Sequence, residues 1–414
     1  MRKQFHIPEF YRSNIISTIK KIRYLRDKYR KDLTPTIIDL KKVIIKIARH
    51  FGFCYGVENA IEIAYRSIEE NPNKKIYLIS EMIHNPHVNN DLNNKGIQFL
   101  MKTDGTPLIS FDSITKEDIV IIPAFGTTRE VFNEIQNKKI NKIYNTTCPF
   151  VEKVWNRSEQ LGKKGYTIII HGRYNHEETK ATFSYAKLHS SSMVIQDKEE
   201  AQFLANFILE RKTEEEFYDK FSNRISKNFN PKEDFKKIGV VNQTTMLATE
   251  TIEISEILKN AIIQKYGKRN LEKHFADTKD TLCYATWENQ SALIELLKSE
   301  GDIAIVVGGY NSSNTSHLVE LCEEKLPTFY IKDEEEILSK EEIRHLDLKN
   351  NQIIKSNNWL PHKEPVTILL SAGASCPDAL VDRVIQKISE IYGVEEELQQ
   401  IILNLQNFKI NENL

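Results

Sequence analysis

Seven short runs rich in Ile and Val punctuate this chain, at 43–48, 75–79, 118–122, 166–170, 238–241, 302–307 and 366–370, and each gives way to small or polar residues. Continuous apolar runs of this length mark strands buried on both faces. Between them lie stretches with helical spacing, and strands alternating with helices make an α/β protein with parallel sheets. In such sheets ligands bind beyond the carboxyl ends of the strands, where loops feed helix N-termini. The polar motifs of this chain fall at those ends, a placement that core packing alone does not explain.

Three of the five cysteines share that placement. Cys54 lies in Gly52-Phe53-Cys54-Tyr55-Gly56, Cys148 in Thr146-Thr147-Cys148-Pro149, and Cys283 in Thr281-Leu282-Cys283-Tyr284, each ahead of a helical stretch. Pro149 suits a first helical position, where its missing N–H would have had no intrahelical partner. The unpaired N–H groups and dipole of a helix start favour a thiolate over a thiol. Three thiolates remote in sequence, each at an element junction, suggest one shared soft-metal centre. A cubane iron–sulfur cluster with one iron open to substrate and a zinc with a fourth ligand are both consistent with that set. No CxxC pair occurs, which excludes a zinc ribbon or a bacterial-ferredoxin run. Cys322, inside a helical run, reads as a small buried hydrophobe, while Cys376, beside a loop, stays open between the two readings.

The three cysteines sit in separate runs of strands, which divides the chain into α/β units at 47–147, 148–275 and 276–392. A basic extension at 1–46 precedes them and a helical tail at 393–414 follows. Residues 196–237 carry mixed charge with scattered apolar positions and read as an exposed helical insertion. Residues 15–30 read as a basic helix, either solvated or covering the core.

A formal net charge of -1 over 414 residues implies no nucleic acid and no acidic membrane surface as partner. No segment has the roughly eighteen consecutive apolar residues of a membrane span. An odd number of irregularly spaced cysteines fits a reducing compartment. The expected location is the cytoplasm, or the plastid stroma were the extension a targeting segment, against which Asp27, Asp32 and Asp39 argue.

The remaining motifs offer hydrogen-bond donors and one acid–base pair. Asn175-His176-Glu177-Glu178-Thr179 places an imidazole and carboxylates directly after a strand, either as an ordinary helix start or with Glu178 as general acid and His176 as anion ligand or proton donor. His84 in Ile-His-Asn-Pro is similarly placed, whereas His87 is expected to face outward on the helix that follows. Gln243-Thr244-Thr245, Asn311-Ser312-Ser313-Asn314 and residues 371–375 supply donors at helix N-termini, a natural diphosphate cradle. Singly, each is equally an N-cap.

As an ordered series these motifs resemble those of the 4-hydroxy-3-methylbut-2-enyl diphosphate reductases, the family acting last in the methylerythritol phosphate route to isoprenoids. The series is Gly-Phe-Cys-Tyr-Gly-Val at 52–57, Ile-His-Asn-Pro at 83–86, Thr-Cys-Pro at 147–149, His-Glu-Glu-Thr at 176–179, Gln-Thr-Thr at 243–245, Asn-Ser-Ser-Asn-Thr-Ser-His at 311–317 and Ala-Gly-Ala-Ser at 372–375, and the resemblance runs from 47 to 393. It implies a trefoil of three α/β units around a 4Fe–4S cluster held by Cys54, Cys148 and Cys283. It implies a diphosphate gripped by His84, His176, Ser312, Asn314 and Ser375, with Ser313 and Thr244 lining the pocket, and Glu178 as proton donor. Electrons are then expected from a ferredoxin or flavodoxin. One departure stands out: where the best-known bacterial form has a histidine, this chain has Phe125, as cyanobacterial and plastid forms do. Phe125 donates no hydrogen bond, so that contact is lost or passes to Thr127 or Thr128.

On this resemblance the substrate is reductively dehydroxylated to isopentenyl and dimethylallyl diphosphates. Two rivals share part of the pattern. Quinolinate synthase also scatters three cluster cysteines but handles a dicarboxylate. An iron–sulfur sensor would need the cysteines without the His176/Glu178 pair.

Overall fold

The structure is a computed structural model and describes residues 5–276 and 281–411. It falls into two compact units: the chain up to Glu58 with His84–His87 and everything from Ala285 onward, and Asn59–Ile83 with Val88–Tyr284.

The first unit is built on a sheet of Thr36–Asp39, Val43–Ile47, Val366–Ala372, Ile303–Val307 and Thr328–Ile331, in that spatial order. All neighbours are parallel except the first pair. The strand at Val43–Ile47 therefore shares its sheet with strands from the far end of the chain. Ile303–Val307 is buried along its whole length, which is why it reads as an unbroken apolar run. The basic helix expected at 15–30 forms over Ile15–Arg26 and buries Ile15, Ile16, Ile19 and Ile22, so of the two readings it covers the core. Its cap, Asn14, makes no side-chain bond. Instead the buried carboxylate of Asp382 accepts from the N–H groups of Ile15 and Ile16 at 3.1 and 3.0 Å, tying the helix to the neighbouring Asp378–Tyr392. The tail forms the helix Glu395–Asn411.

The second unit holds two parallel four-stranded sheets. One runs Ile97–Phe99, Ile76–Leu78, Ile119–Ile122, Lys142–Asn145, and the other Phe275–Ala276, Ile238–Asn242, Thr167–His171, Ser192–Ile195. The insertion at 196–237 is helical, with Lys198–Ile208, Glu214–Phe221 and Pro231–Asp234, but it is not the exposed appendage expected. Phe207, Phe217, Phe221, Phe229 and Phe235 are buried together with Ile238 and Ile254. These rings come from the first two of these helices and from the segments flanking the short third one, so no single helical period reveals their shared face.

Each sheet of the second unit has one point where connections leave in opposite directions, and ligands of open α/β sheets gather there. These points lie between Thr167–His171 and Ile238–Asn242 and between Ile76–Leu78 and Ile119–Ile122, and in the first unit the neighbouring parallel strands Ile303–Val307 and Val366–Ala372 are the counterpart. The loops leaving those strand pairs carry the polar motifs. Among the described residues no helix is long and apolar enough to cross a membrane.

Candidate active site

In the second unit the loop after Thr167–His171 ends at His176, the N-cap of Glu177–Ala186, whose Nδ1 accepts from the N–H of Glu178 at 3.2 Å. A neutral His176 ring therefore carries its proton on Nε2. Glu178, 1 % exposed, accepts from the Thr244 N–H at 2.6 Å with one oxygen and from the Thr244 hydroxyl at 3.0 Å with the other. Thr244 in turn offers its carbonyl to the N–H of Cys283 at 3.3 Å. Behind them Thr179 donates to Gln243 Oε1 at 2.9 Å, and a Cβ at Gly172 would press against both side chains. The Phe125 ring meets His176 edge-on, with centroids 5.8 Å apart. Thr128 is occupied as N-cap of Arg129–Asn137, while Thr127 lines a cavity of about 330 Å³ with Asn145, Thr147 and Trp155.

The first unit repeats this plan with other residues. After Ile303–Val307 and Gly308 the loop ends at Ser312, the N-cap of Ser313–Glu323. Asn314 stands where Glu178 stands, and its Oδ1 accepts from the Ala374 N–H at 2.8 Å. Ala374 offers its carbonyl to the N–H of Cys54 at 3.2 Å. Thr315 corresponds to Thr179, donating to Ser312 Oγ at 2.9 Å and wedged against Gly308 and Gly373 so closely that a Cβ at either would collide with it. Ser375 Oγ donates to the His84 carbonyl at 3.1 Å and lies 3.5 Å from Ser312 Oγ. Ser313 Oγ and Asn314 Nδ2 are buried without a hydrogen-bond partner among the described residues. His87 pairs with Asp333 at 2.9 Å with its side chain 37% exposed, in line with its expected outward position.

Cys148 completes the pattern. It is the N-cap of Pro149–Lys163 and donates its N–H to the carbonyl of Ala124 at 2.9 Å. Ala374, Ala124 and Thr244 occupy the same place, just past the ends of Val366–Ala372, Ile119–Ile122 and Ile238–Asn242. Thus each of the three cysteines heads a helix while its own N–H is held by the loop after a neighbouring strand. Sequence gave no sign of these carbonyl anchors, because a backbone acceptor leaves no mark on residue type. Thr179 and Thr315 were legible only as polar residues; their matching positions after Gly172 and Gly308 were the available signal.

None of the five cysteines forms a disulfide. Cys54 belongs to the first unit, Cys148 and Cys283 to the second. Among the described residues, no group of three or more His, Cys, Asp and Glu side chains is arranged to hold a metal ion. Cysteine thiolates are the ligand type that a soft metal takes. Burial pushes the Cys54 thiol up, and the N–H groups of Val57 and Gly56, aimed at the sulfur from the first helical turn, pull it back. Cys322 has no such donors: burial pushes its thiol up to about 12, inside the main core. Burial likewise raises the thiol of Cys376, which is 0% exposed and resolves as a core residue.

The cradle makes one glycine irreplaceable. A Cβ at Gly309 would strike the carbonyl of His84, the same oxygen that Ser375 holds. Backbone cannot swing aside as a side chain can, so Gly309→Ala is expected to destabilise the protein by about 1–3 kcal/mol. Thermal denaturation checks this, and an unchanged Tm would show that the loop yields freely.

The profile of the LytB protein family matches residues 45–389. The 4-hydroxy-3-methylbut-2-enyl diphosphate reductase of Picosynechococcus sp. is 38% identical over 390 residues, 92% of this chain and 94% of that protein. That of Crocosphaera subtropica is 40% identical over 349 residues, 84% and 85% of the two chains. A solved (E)-4-hydroxy-3-methyl-but-2-enyl diphosphate reductase, the terminal enzyme of the non-mevalonate pathway, superposes with a TM-score of 0.50 at 26% identity over 84% of this chain and 99% of that one. The corresponding reductase of Plasmodium falciparum shares the fold, with a TM-score of 0.61 at 22% identity over 84% and 88%. The chain belongs to the LytB family, whose matched members bear the name 4-hydroxy-3-methylbut-2-enyl diphosphate reductase.

Proposed function

We propose that this protein reductively dehydroxylates 4-hydroxy-3-methylbut-2-enyl diphosphate to isopentenyl and dimethylallyl diphosphates, the last step of the methylerythritol phosphate route, in a reducing compartment, the cytoplasm or a plastid stroma. The observation that carries this reading is the recurrence of one backbone setting at Cys54, Cys148 and Cys283, in a chain whose relatives bear that enzyme's name.

In this reading the α/β units form a trefoil, and Cys54, Cys148 and Cys283 ligate a 4Fe–4S cluster. When bound, the cluster supplies single electrons and a Lewis-acidic iron for the departing oxygen. The electrons come from a ferredoxin or flavodoxin. Two electrons and two protons convert the allylic alcohol to an alkene and water. One proton leaves with the oxygen and the other ends on carbon, at either end of the allylic system, which accounts for two products.

The chain's own residues bind, orient and supply protons. His84, His176, Ser312, Asn314 and Ser375 hold the diphosphate, and Ser313 and Thr244 line its pocket. In support, Ser313 Oγ and Asn314 Nδ2 are buried donors with no partner among the described residues, and such donors cost about 1–3 kcal/mol unless a ligand accepts from them. With Nδ1 accepting from the Glu178 N–H, a neutral His176 carries its proton on Nε2, the nitrogen that would donate to an anion. Thr244 grips both oxygens of Glu178 and so fixes the direction in which the carboxyl group can deliver a proton.

Anaerobic reconstitution with iron and sulfide, then titration with the diphosphate substrate while following the visible and electron-paramagnetic spectra, tests the reading. Saturable spectral change and formation of both isomers are expected. A cluster spectrum indifferent to substrate would fit a sensor and refute the reductase.

A further inference from the structure

The reading above needs electrons from outside, and the N-terminal segment of the first unit has the features of an entry point for them. Residues 20–32 carry seven Lys and Arg against two Asp, in a chain whose net charge is -1. Lys20 pairs with Asp378 at 2.7 Å, Arg23 with Asp32 at 3.0 Å and Arg30 with Glu288 at 3.2 Å. Lys21, Lys28 and Lys31 are exposed and stand outside every ion pair among the described residues. Two rings rise among them, Tyr24 at 54% and Tyr29 at 87% exposure. A solvated charge run has no need of exposed tyrosines, whereas aromatic rings are enriched at protein-binding surfaces and the cations around them supply the electrostatic steering.

The same segment touches the chain on both sides of Cys54. Lys20 donates to the Phe51 carbonyl at 2.9 Å, and the Arg30 guanidinium donates to His50 Nδ1 at 2.7 Å. Tyr11 packs edge-on against Phe53, and Phe5 against Tyr55, with centroids 5.8 and 5.0 Å apart. The helix is itself immobilised, by four buried isoleucines and by the Asp382 carboxylate on its first two N–H groups.

We propose that the cationic, tyrosine-bearing face of Ile15–Arg26 and the turn after it is the docking surface for a small acidic protein that carries one electron at a time, and this rests on the reductase reading. Opposite charge steers encounter and fixes orientation over about 8–10 Å at moderate ionic strength. The carrier is oxidised by one electron per visit, the reductase centre gains it, and two visits serve each substrate. Nucleic acid or an anionic membrane would also meet the charge, but neither accounts for the contact with the Cys54 segment.

The test compares reconstituted wild-type protein with the triple variant Lys21→Glu, Lys28→Glu, Lys31→Glu. Turnover is driven either by an acidic plant-type ferredoxin or by dithionite-reduced methyl viologen, and ferredoxin binding is measured separately by calorimetry. The variant is expected to raise both KM and Kd for ferredoxin at least about tenfold, with viologen-driven turnover unchanged. Wild-type kcat/KM with ferredoxin should fall steeply with added salt. A variant with wild-type KM and Kd for ferredoxin and normal viologen activity overturns the proposal, and so does one that loses only affinity for anionic vesicles. Wild-type protein inert with both donors would overturn the reductase reading itself, and this proposal with it.

Discussion

Cys148→Ser is expected to reduce bound iron and sulfide to near background after reconstitution, whereas Cys322→Ser keeps both at the wild-type level. The two substitutions are chemically identical, so the contrast isolates setting. Cys148 is a helix N-cap whose N–H goes to Ala124 and whose carbonyl accepts from Val151 and Glu152 at 2.9 and 3.1 Å. All of these are backbone bonds that serine retains, and serine is itself a favoured N-cap, so the fold should survive. What disappears is the soft sulfur donor, which a hydroxyl does not replace for iron in a cubane cluster. Cys322 lies fully buried in the core with Leu318, Val319 and Ile331. A serine there buries a hydroxyl in apolar surroundings and costs about 1–3 kcal/mol, a change in Tm and not in metal content. Iron and sulfide analysis with circular dichroism checks both variants. Equal metal loss would mean that the ligand set has been misassigned, and full retention in Cys148→Ser would remove Cys148 from it.

The strands were legible because parallel sheets bury both faces and force continuous Ile/Val runs: Ile119–Ile122 and Ile238–Asn242 are buried throughout, and each had been expected within a residue or two. Which strands pair was not legible. Val43–Ile47 and Val366–Ala372 are both apolar and nothing in either names the other, yet they lie side by side in register from Val366 opposite Val43. Edge strands escaped for a related reason. Ile97–Phe99 and Ser192–Ile195 are short or mixed in composition and sit at sheet margins. At the site, cysteines and donor clusters announced themselves by residue type, but the correspondence of Asn314 with Glu178 did not. An amide and a carboxylate share no pattern in sequence; they share a task, accepting a backbone N–H from the adjoining loop. That equivalence also separates binding from chemistry. The same position carries a side chain that cannot change protonation in one unit and one that can in the other.

Glu178→Gln is therefore expected to lower kcat by about 10²–10⁴-fold while leaving substrate binding and the fold intact. The buried carboxylate accepts from Thr244 twice, from its N–H at 2.6 Å and from its hydroxyl at 3.0 Å. A glutamine can turn its Oε1 to the N–H, which only donates. Its Nε2 then faces the hydroxyl, which rotates to accept instead of donate. Neither Thr244 group is stranded, so the large penalty for an unsatisfied buried polar group does not arise at Thr244. Asn314 demonstrates that an amide is tolerated in this setting, since it accepts the equivalent Ala374 N–H at 2.8 Å. At the Thr244 contacts the substitution removes only a group able to release a proton, the role proposed for Glu178. Single-turnover kinetics with pre-reduced protein, together with substrate Kd, would separate the outcomes. Unchanged Kd with a collapsed chemical step assigns Glu178 as donor; near-normal turnover excludes it and leaves His176, the imidazole capping the same helix, as the nearest alternative source.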